Sequence, residues 1–252
     1  MIDESNPAGR LHKILSTTKR QPDGKKVLEV WADAIGIEKD NVTVTKGVVG
    51  LYSLSQEIQS LIKMNAQLNH DLYLLSFKNI DRAFFPLNLG ADWKSVRPHL
   101  TDEALTRLQF CAEELKRFYS EESLADEDLE DIIKKTDQLF ETLNKSKLSD
   151  TLRLTLLEEI QRVRNAISMY KIKGAKGLKE ALQGTIGAVV VNQEEIKKSK
   201  NENAEVIKRI GELIDKLDSF TSRALKLKRM LTKPIRFLLE KVTDSESEEE
   251  MV

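Results

Sequence analysis

Apolar residues fall at three- and four-residue steps through almost the whole chain, the spacing that puts one stripe on one face of a helix. Leu11, Ile14 and Leu15 open the pattern, and Gln21-Pro22-Asp23-Gly24 interrupts it with turn chemistry. Val27, Leu28, Val30, Trp31, Ala34 and Ile35 give a second helix a broad apolar face that ends near Gly36, with Trp31 as a core anchor. Asp40 or Asn41 then caps a long helix whose stripe is Val48, Leu51, Leu54, Ile58, Leu61, Met64 and Leu68. Val42, Thr43 and Val44 are β-branched enough for a strand, but no comparable strand exists to pair with them, so they join the helix start.

Leu72, Tyr73, Leu75, Phe77, Ile80 and Phe84 form another helical stripe, which Pro86 stops because proline lacks the amide donor. Thr101 followed by Asp102 and Glu103 is a capped helix start, continued by Leu105, Leu108, Ala112, Leu115 and Tyr119. Leu129 to Leu143 build the next helix, and a further one opens at Ser149 and runs through Ile160 and Val163 towards a stop at Gly174. The most regular stretch comes last. Val206, Ile210, Leu213, Leu217, Phe220, Ala224, Leu227 and Leu231 alternate steps of four and three, a heptad seam fitting either an intermolecular coiled coil or a long helix packed inside its own chain.

The pattern predicts an all-α, multi-helix bundle with a long heptad-patterned C-terminal helix and a disordered acidic tail. Its divisions are an N-terminal helical subdomain over 1–85, a loop over 86–100, a central helical subdomain over 101–173, long C-terminal helices over 174–242, and the tail over 243–252. The loop reading rests on Asn88, Gly90 and two prolines within a short stretch. In the tail, Asp244 to Glu250 is a like-charged run with nothing to bury before Met251 and Val252.

Composition agrees with a folded helical chain: 252 residues, 32% charged, 40% hydrophobic, with only 11 Gly and 5 Pro. A formal net charge of -1 gives no whole-molecule positive field, so any nucleic-acid binding must come from a local patch. The single cysteine, Cys111, cannot form an internal disulfide and points to a reducing, cytoplasmic setting. No apolar run reaches the roughly 18–20 residues of a spanning helix, which argues against integral membrane association.

Candidate chemistry is thin. His12, His70 and His99 are scattered outside any metal-site spacing, and no nucleophile elbow, Walker loop or dinucleotide fingerprint is present. The sequence therefore nominates no catalytic residue, cofactor or metal, and an enzyme or toxin of unfamiliar class stays only as an alternative. Two basic segments carry more information. Lys171, Lys173, Gly174, Lys176, Gly177 and Lys179 precede a predicted helix, where glycines allow close approach and the first amides favour an anion; an ordinary inter-helix turn with solvated lysines is the favoured explanation. Arg223, Lys226, Lys228, Arg229, Lys233 and Arg236 line an amphipathic helix a few residues before the acidic tail, an arrangement that makes self-shielding available.

Trp31-Ala32-Asp33-Ala34-Ile35-Gly36-Ile37 and the stretch from Ala166-Ile167 to Gly174-Ala175-Lys176-Gly177-Leu178 resemble segments of uncharacterised all-helical bacterial proteins. That resemblance implies a bacterial cytoplasmic protein, an accessory component in stress or phage defence, and brings no catalytic residues with it. The preferred reading is a non-enzymatic interaction or scaffold protein that binds a protein partner or itself through the heptad seam. The main rival is a nucleic-acid-associated protein using the two basic segments.

Overall fold

A computed structural model describes residues 5–117, 119, 121–122, 126–199 and 202–226. Among them the fold is all-α, with no strand. In chain order the helices are α1 (Pro7–Lys19), α2 (Val27–Ile35), α3 (Asn41–Met64), α4 (His70–Leu74), α5 (Phe77–Phe84), α6 (Asp102–Leu115), α7 (Asp126–Asn144), α8 (Asp150–Ser168), α9 (Tyr170–Lys173), α10 (Ala175–Val191), α11 (Gln193–Lys198) and α12 (Ala204–Ala224). No described helix is long and apolar enough to cross a membrane. The chain forms two compact units, one of residues 1–121 with 171–174 and the other of residues 122–170 with 175–252.

In the first unit, local chemistry starts the helices and distant backbone completes them. Asp40 accepts from the amides of Val42 and Thr43 at 3.0 and 2.9 Å, which fixes the start of α3 and makes the β-branched run helical. Asn6 caps α1 through Gly9 and reaches across to the Ala112 carbonyl at 3.0 Å, so one buried side chain ties α1 to α6. α2 has no side-chain cap. Its first amides, Val27 and Leu28, instead donate to the carbonyls of Ala91 and Leu89 at 3.0 and 3.1 Å, which satisfies orphan donors that water would otherwise take.

Residues 86–100 are thus part of the first unit. Trp93 N donates to Lys25 O at 2.8 Å, and two 3₁₀ turns, Trp93–Ser95 and Arg97–His99, carry the segment on to α6. Trp93 is fully buried, its ring 5.2 Å from Trp31 in an edge-to-face pair, while Phe84 packs on Trp31 from 5.6 Å. The expected single helix from Leu72 to Phe84 divides into α4 and α5 at Leu75–Ser76, leaving Leu75 exposed; Met64, expected in the buried stripe of α3, is also exposed.

The second unit is a ring of four helices in which α7, α8, α10 and α12 each pack on two of the others. Ser149 caps α8 through the Leu152 amide at 3.2 Å. The ring encloses one core that includes Leu139, Leu156, Ile160, Leu178, Leu213 and Leu217. Each such leucine contributes about 1.5–3 kcal/mol through burial.

Candidate functional site

The heptad seam is used inside the chain. Val206, Ile210, Leu213, Leu217, Phe220 and Ala224 are all buried, with α7 and α10 of the same unit packed on α12; Leu227 and Leu231 lie outside the described residues. Of the two arrangements that fit the pattern, the structure has the intramolecular one, and these six side chains offer no free surface. A heptad records that a helix face needs covering, and two neighbouring apolar stripes of the same chain cover this one.

The first basic segment is held by a cation. Gly174 has φ 63° and ends α9 in the left-handed region that glycine adopts without strain. Arg10 reaches this turn, its Nε donating to the Ile172 carbonyl at 3.1 Å and its Nη2 to the Lys173 carbonyl at 3.4 Å. The same guanidinium pairs with Glu121 at 3.2 Å, and both side chains are about nine-tenths buried. A Cβ on Gly174 would strike the Glu121 carboxylate and come within 2.8 Å of Arg10. The close approach that glycine permits therefore serves a buried ion pair. Beside it, burial and the Glu121 charge push the Tyr119 hydroxyl up to about 12.

The other members of that segment are dispersed. The Lys171 ammonium lies against Gly36, the left-handed cap that ends α2, where the helix dipole favours a cation. Lys173 and Lys176 have partners within the fold, Gly177 is buried in α10, and Lys179 is half-buried. In the second segment Arg223 pairs with Asp128 at 3.1 Å. Hydrogen bonds from Lys216 and then Arg223 hold the Asp128 carboxyl below the usual range. Lys226 follows α12 with φ 52°, whereas Lys228, Arg229, Lys233, Arg236 and the acidic tail lie outside the described residues.

Groups suited to catalysis do not converge. Among the described residues no three His, Cys, Asp or Glu side chains gather into a metal-holding group. Burial pushes the Cys111 thiol up to about 12, far from the thiolate a nucleophile needs. An open cleft of about 460 Å³ is lined by Lys19, Asp23, Lys94, Arg97 and Asp102, but its charges are largely matched internally, Lys19 with Asp102 and Arg97 with Asp23.

The surface that stands out is apolar, and it lies on the outward face of α3. Val44, Val48, Leu51 and Ile58 face inward and are buried, whereas Val42, Thr45, Lys46, Val49, Tyr52 and Ser53 share the opposite face by helical spacing. Val42 is 63% exposed and Val49 45%. The hydroxyls of that face turn back on the helix: Thr45 Oγ1 donates to the Asn41 carbonyl at 2.6 Å and Ser53 Oγ to the Val49 carbonyl at 2.9 Å. Tyr52 meets Phe85, at the end of α5, edge to face at 5.3 Å, and Phe85 is itself 38% exposed. The result is an apolar strip spanning α3 and α5.

Residue patterning flagged only part of this strip. Val42 drew notice for its strand-like chemistry, but Val49, Tyr52 and Phe85 were not singled out. The usable signal was a second set of apolar positions on α3, opposite the main stripe. No family model, curated protein or solved structure matches the chain, so this surface is interpreted from its own chemistry.

Proposed function

We propose that this is a non-enzymatic helical interaction protein that docks a partner through the α3–α5 strip of its first unit. The observation that carries the reading is the exposure of Val42, Val49 and Phe85 beside Tyr52, on helices whose opposite faces already form the core. Scattered exposed apolar residues are ordinary on protein surfaces, but a strip continued from one helix to the next by a ring contact is the form that docking surfaces take. Aromatic anchors such as Tyr52 and Phe85 are also what interfaces concentrate.

The test is affinity purification of full-length protein from its native cells beside Val49→Glu and Tyr52→Glu, with Leu75→Glu as a control on a different exposed patch. A partner that is retained by the control and lost from both strip variants, with melting unchanged, supports the reading. Retention of every partner by the strip variants overturns it. Light scattering over a range of concentrations identifies a second copy of the chain as the partner if wild type dimerises and Val49→Glu does not.

A further inference from the structure

The α3–α5 strip carries three exposed cations along its edges. Lys46 lies on the outward face of α3 between Val42 and Val49, and Lys78 and Arg82 share an exposed face of α5 at the spacing i, i+4, just before Phe85 at its C-cap. All three are exposed, and none has an ion pair or hydrogen bond among the described residues. Lys19, Lys25, Lys26, Lys39, Arg97 and Arg107 of the same unit each hold a carboxylate, whereas Arg20 and Lys63 are exposed cations like these three.

The acidic groups nearest the strip are committed to the fold. Asp81 accepts from Ser55 Oγ at 3.0 Å and from Gln56 Nε2 at 3.3 Å, joining α5 to α3. Asp40 caps the first amides of α3, and its hydrogen bonds to Thr43 hold its carboxyl below the usual range. Both carboxylates keep their charge, but neither forms an ion pair with Lys46, Lys78 or Arg82 among the described residues. A strip of aliphatic and aromatic groups edged by three cations without ion pairs is complementary to apolar anchors with anionic groups beside them.

We infer that the partner engages this strip through an acidic segment of a second protein, its apolar side chains lying on Val49, Tyr52 and Phe85 and its carboxylates pairing with Lys46, Lys78 and Arg82. The inference rests on the proposed docking function and names the chemistry of its partner. Rim charges of this kind steer encounter and select partners more than they add affinity, so charge preference and salt sensitivity are the properties to measure.

The experiment uses full-length protein and three fluorescent 18-residue peptides: an amphipathic helix former with Leu and Phe on one face and Glu on the other, the same peptide with Lys for Glu, and an acidic peptide with Ser for Leu and Phe. Anisotropy at low and moderate salt gives affinities, and amide NMR shifts place the binding. The expected result is binding of the Glu peptide about tenfold or more tighter than the Lys peptide at low salt. That preference should shrink with salt and be lost in the Lys46→Glu, Lys78→Glu, Arg82→Glu triple variant, with shifts confined to residues 42–53 and 78–85. Equal binding of Glu and Lys peptides at those residues overturns the acidic preference while leaving the docking reading intact. Absence of shifts there overturns both. Binding of the Ser peptide as tight as the Leu/Phe peptide overturns the apolar anchors. If truncation after Val242 strengthens Glu-peptide binding, the chain's own acidic tail is the occupant, and a second protein is overturned as its source.

Discussion

α12 and α3 are long helices of 21 and 24 residues with apolar side chains at helical spacing, yet they use them in opposite ways. α12 has one apolar stripe, and the second unit closes over it from two sides with α7 and α10. α3 has its inner stripe covered by α1, α2 and α5, while its outward strip has no covering helix among the described residues of the first unit. Periodicity reports that a face is apolar; the number of neighbouring elements decides whether that face becomes core or surface. The same residue type therefore carries stability on one helix and is available for recognition on the other.

The comparison predicts mutational effects that differ in kind. Leu213→Asp should produce the largest, because it places a charge in the fully buried seam. The expected loss is about 4 kcal/mol or more, seen in denaturant melts of the full chain, without dissociation of an oligomer. An unchanged melt, or clean conversion of a dimer to a folded monomer, would show that α12 is not packed within its own chain. Arg10→Ala comes next, at about 3 kcal/mol, since it removes the buried partner of Glu121 and the donor to the Ile172 and Lys173 carbonyls. Arg10→Lys keeps the charge without the planar fork and should fall between wild type and Arg10→Ala in the same melts.

A smaller effect belongs to pH. His12 is buried, with Ser16 Oγ and Gln109 Nε2 each 3.2 Å from its Nε2, and burial lowers its pKa. As pH falls below about 6.5 the unfolded chain takes up this proton first, so the contribution is fully present above about 6.5 and is lost progressively down to the lower folded pKa. Melts from pH 8 to pH 5 should show that decline, and His12→Gln should flatten its share of it. An identical slope in the variant would clear His12 of any role. The smallest stability effect should come from Val49→Glu, within about 0.5 kcal/mol of wild type, because the side chain already faces water. A large loss there would mean that the outward strip is covered, and the contrast with α12 would collapse.

Local chemistry made much of the fold legible. Asp40, Thr101 and Ser149 each cap a helix at the predicted start, Gly36 ends α2 in the left-handed conformation, and Trp31 is a core residue. What escaped was decided by residues far apart in sequence. Asn88, Gly90 and two prolines mark a loop, but nothing local shows that the carbonyls of Leu89 and Ala91 cap α2 or that Trp93 fills the core beside Trp31. Gly174 looked ready for an anion because nothing near it in sequence shows that Arg10 will take the turn's carbonyls. The candidate strip was half visible for a similar reason. Val42 and Val49 can be counted on a helical wheel, whereas the meeting of Tyr52 with Phe85 depends on how α5 lies on α3.

The detour of residues 171–174 into the first unit also sets an order of events during synthesis. When residue 121 has been made, α1 to α6 exist, but the carbonyls that receive Arg10 are still roughly fifty residues away. At ordinary elongation speeds that gap lasts on the order of seconds. Through that interval the growing chain carries a guanidinium whose backbone acceptors have not yet been translated, while much of the second unit emerges behind it. Early release would yield a fragment of residues 1–121 that contains both Arg10 and Glu121 but lacks the buried Ile172 and its acceptor. The nascent N-terminal half is thus an unfinished lodging, completed only when a later stretch of the same message has been read.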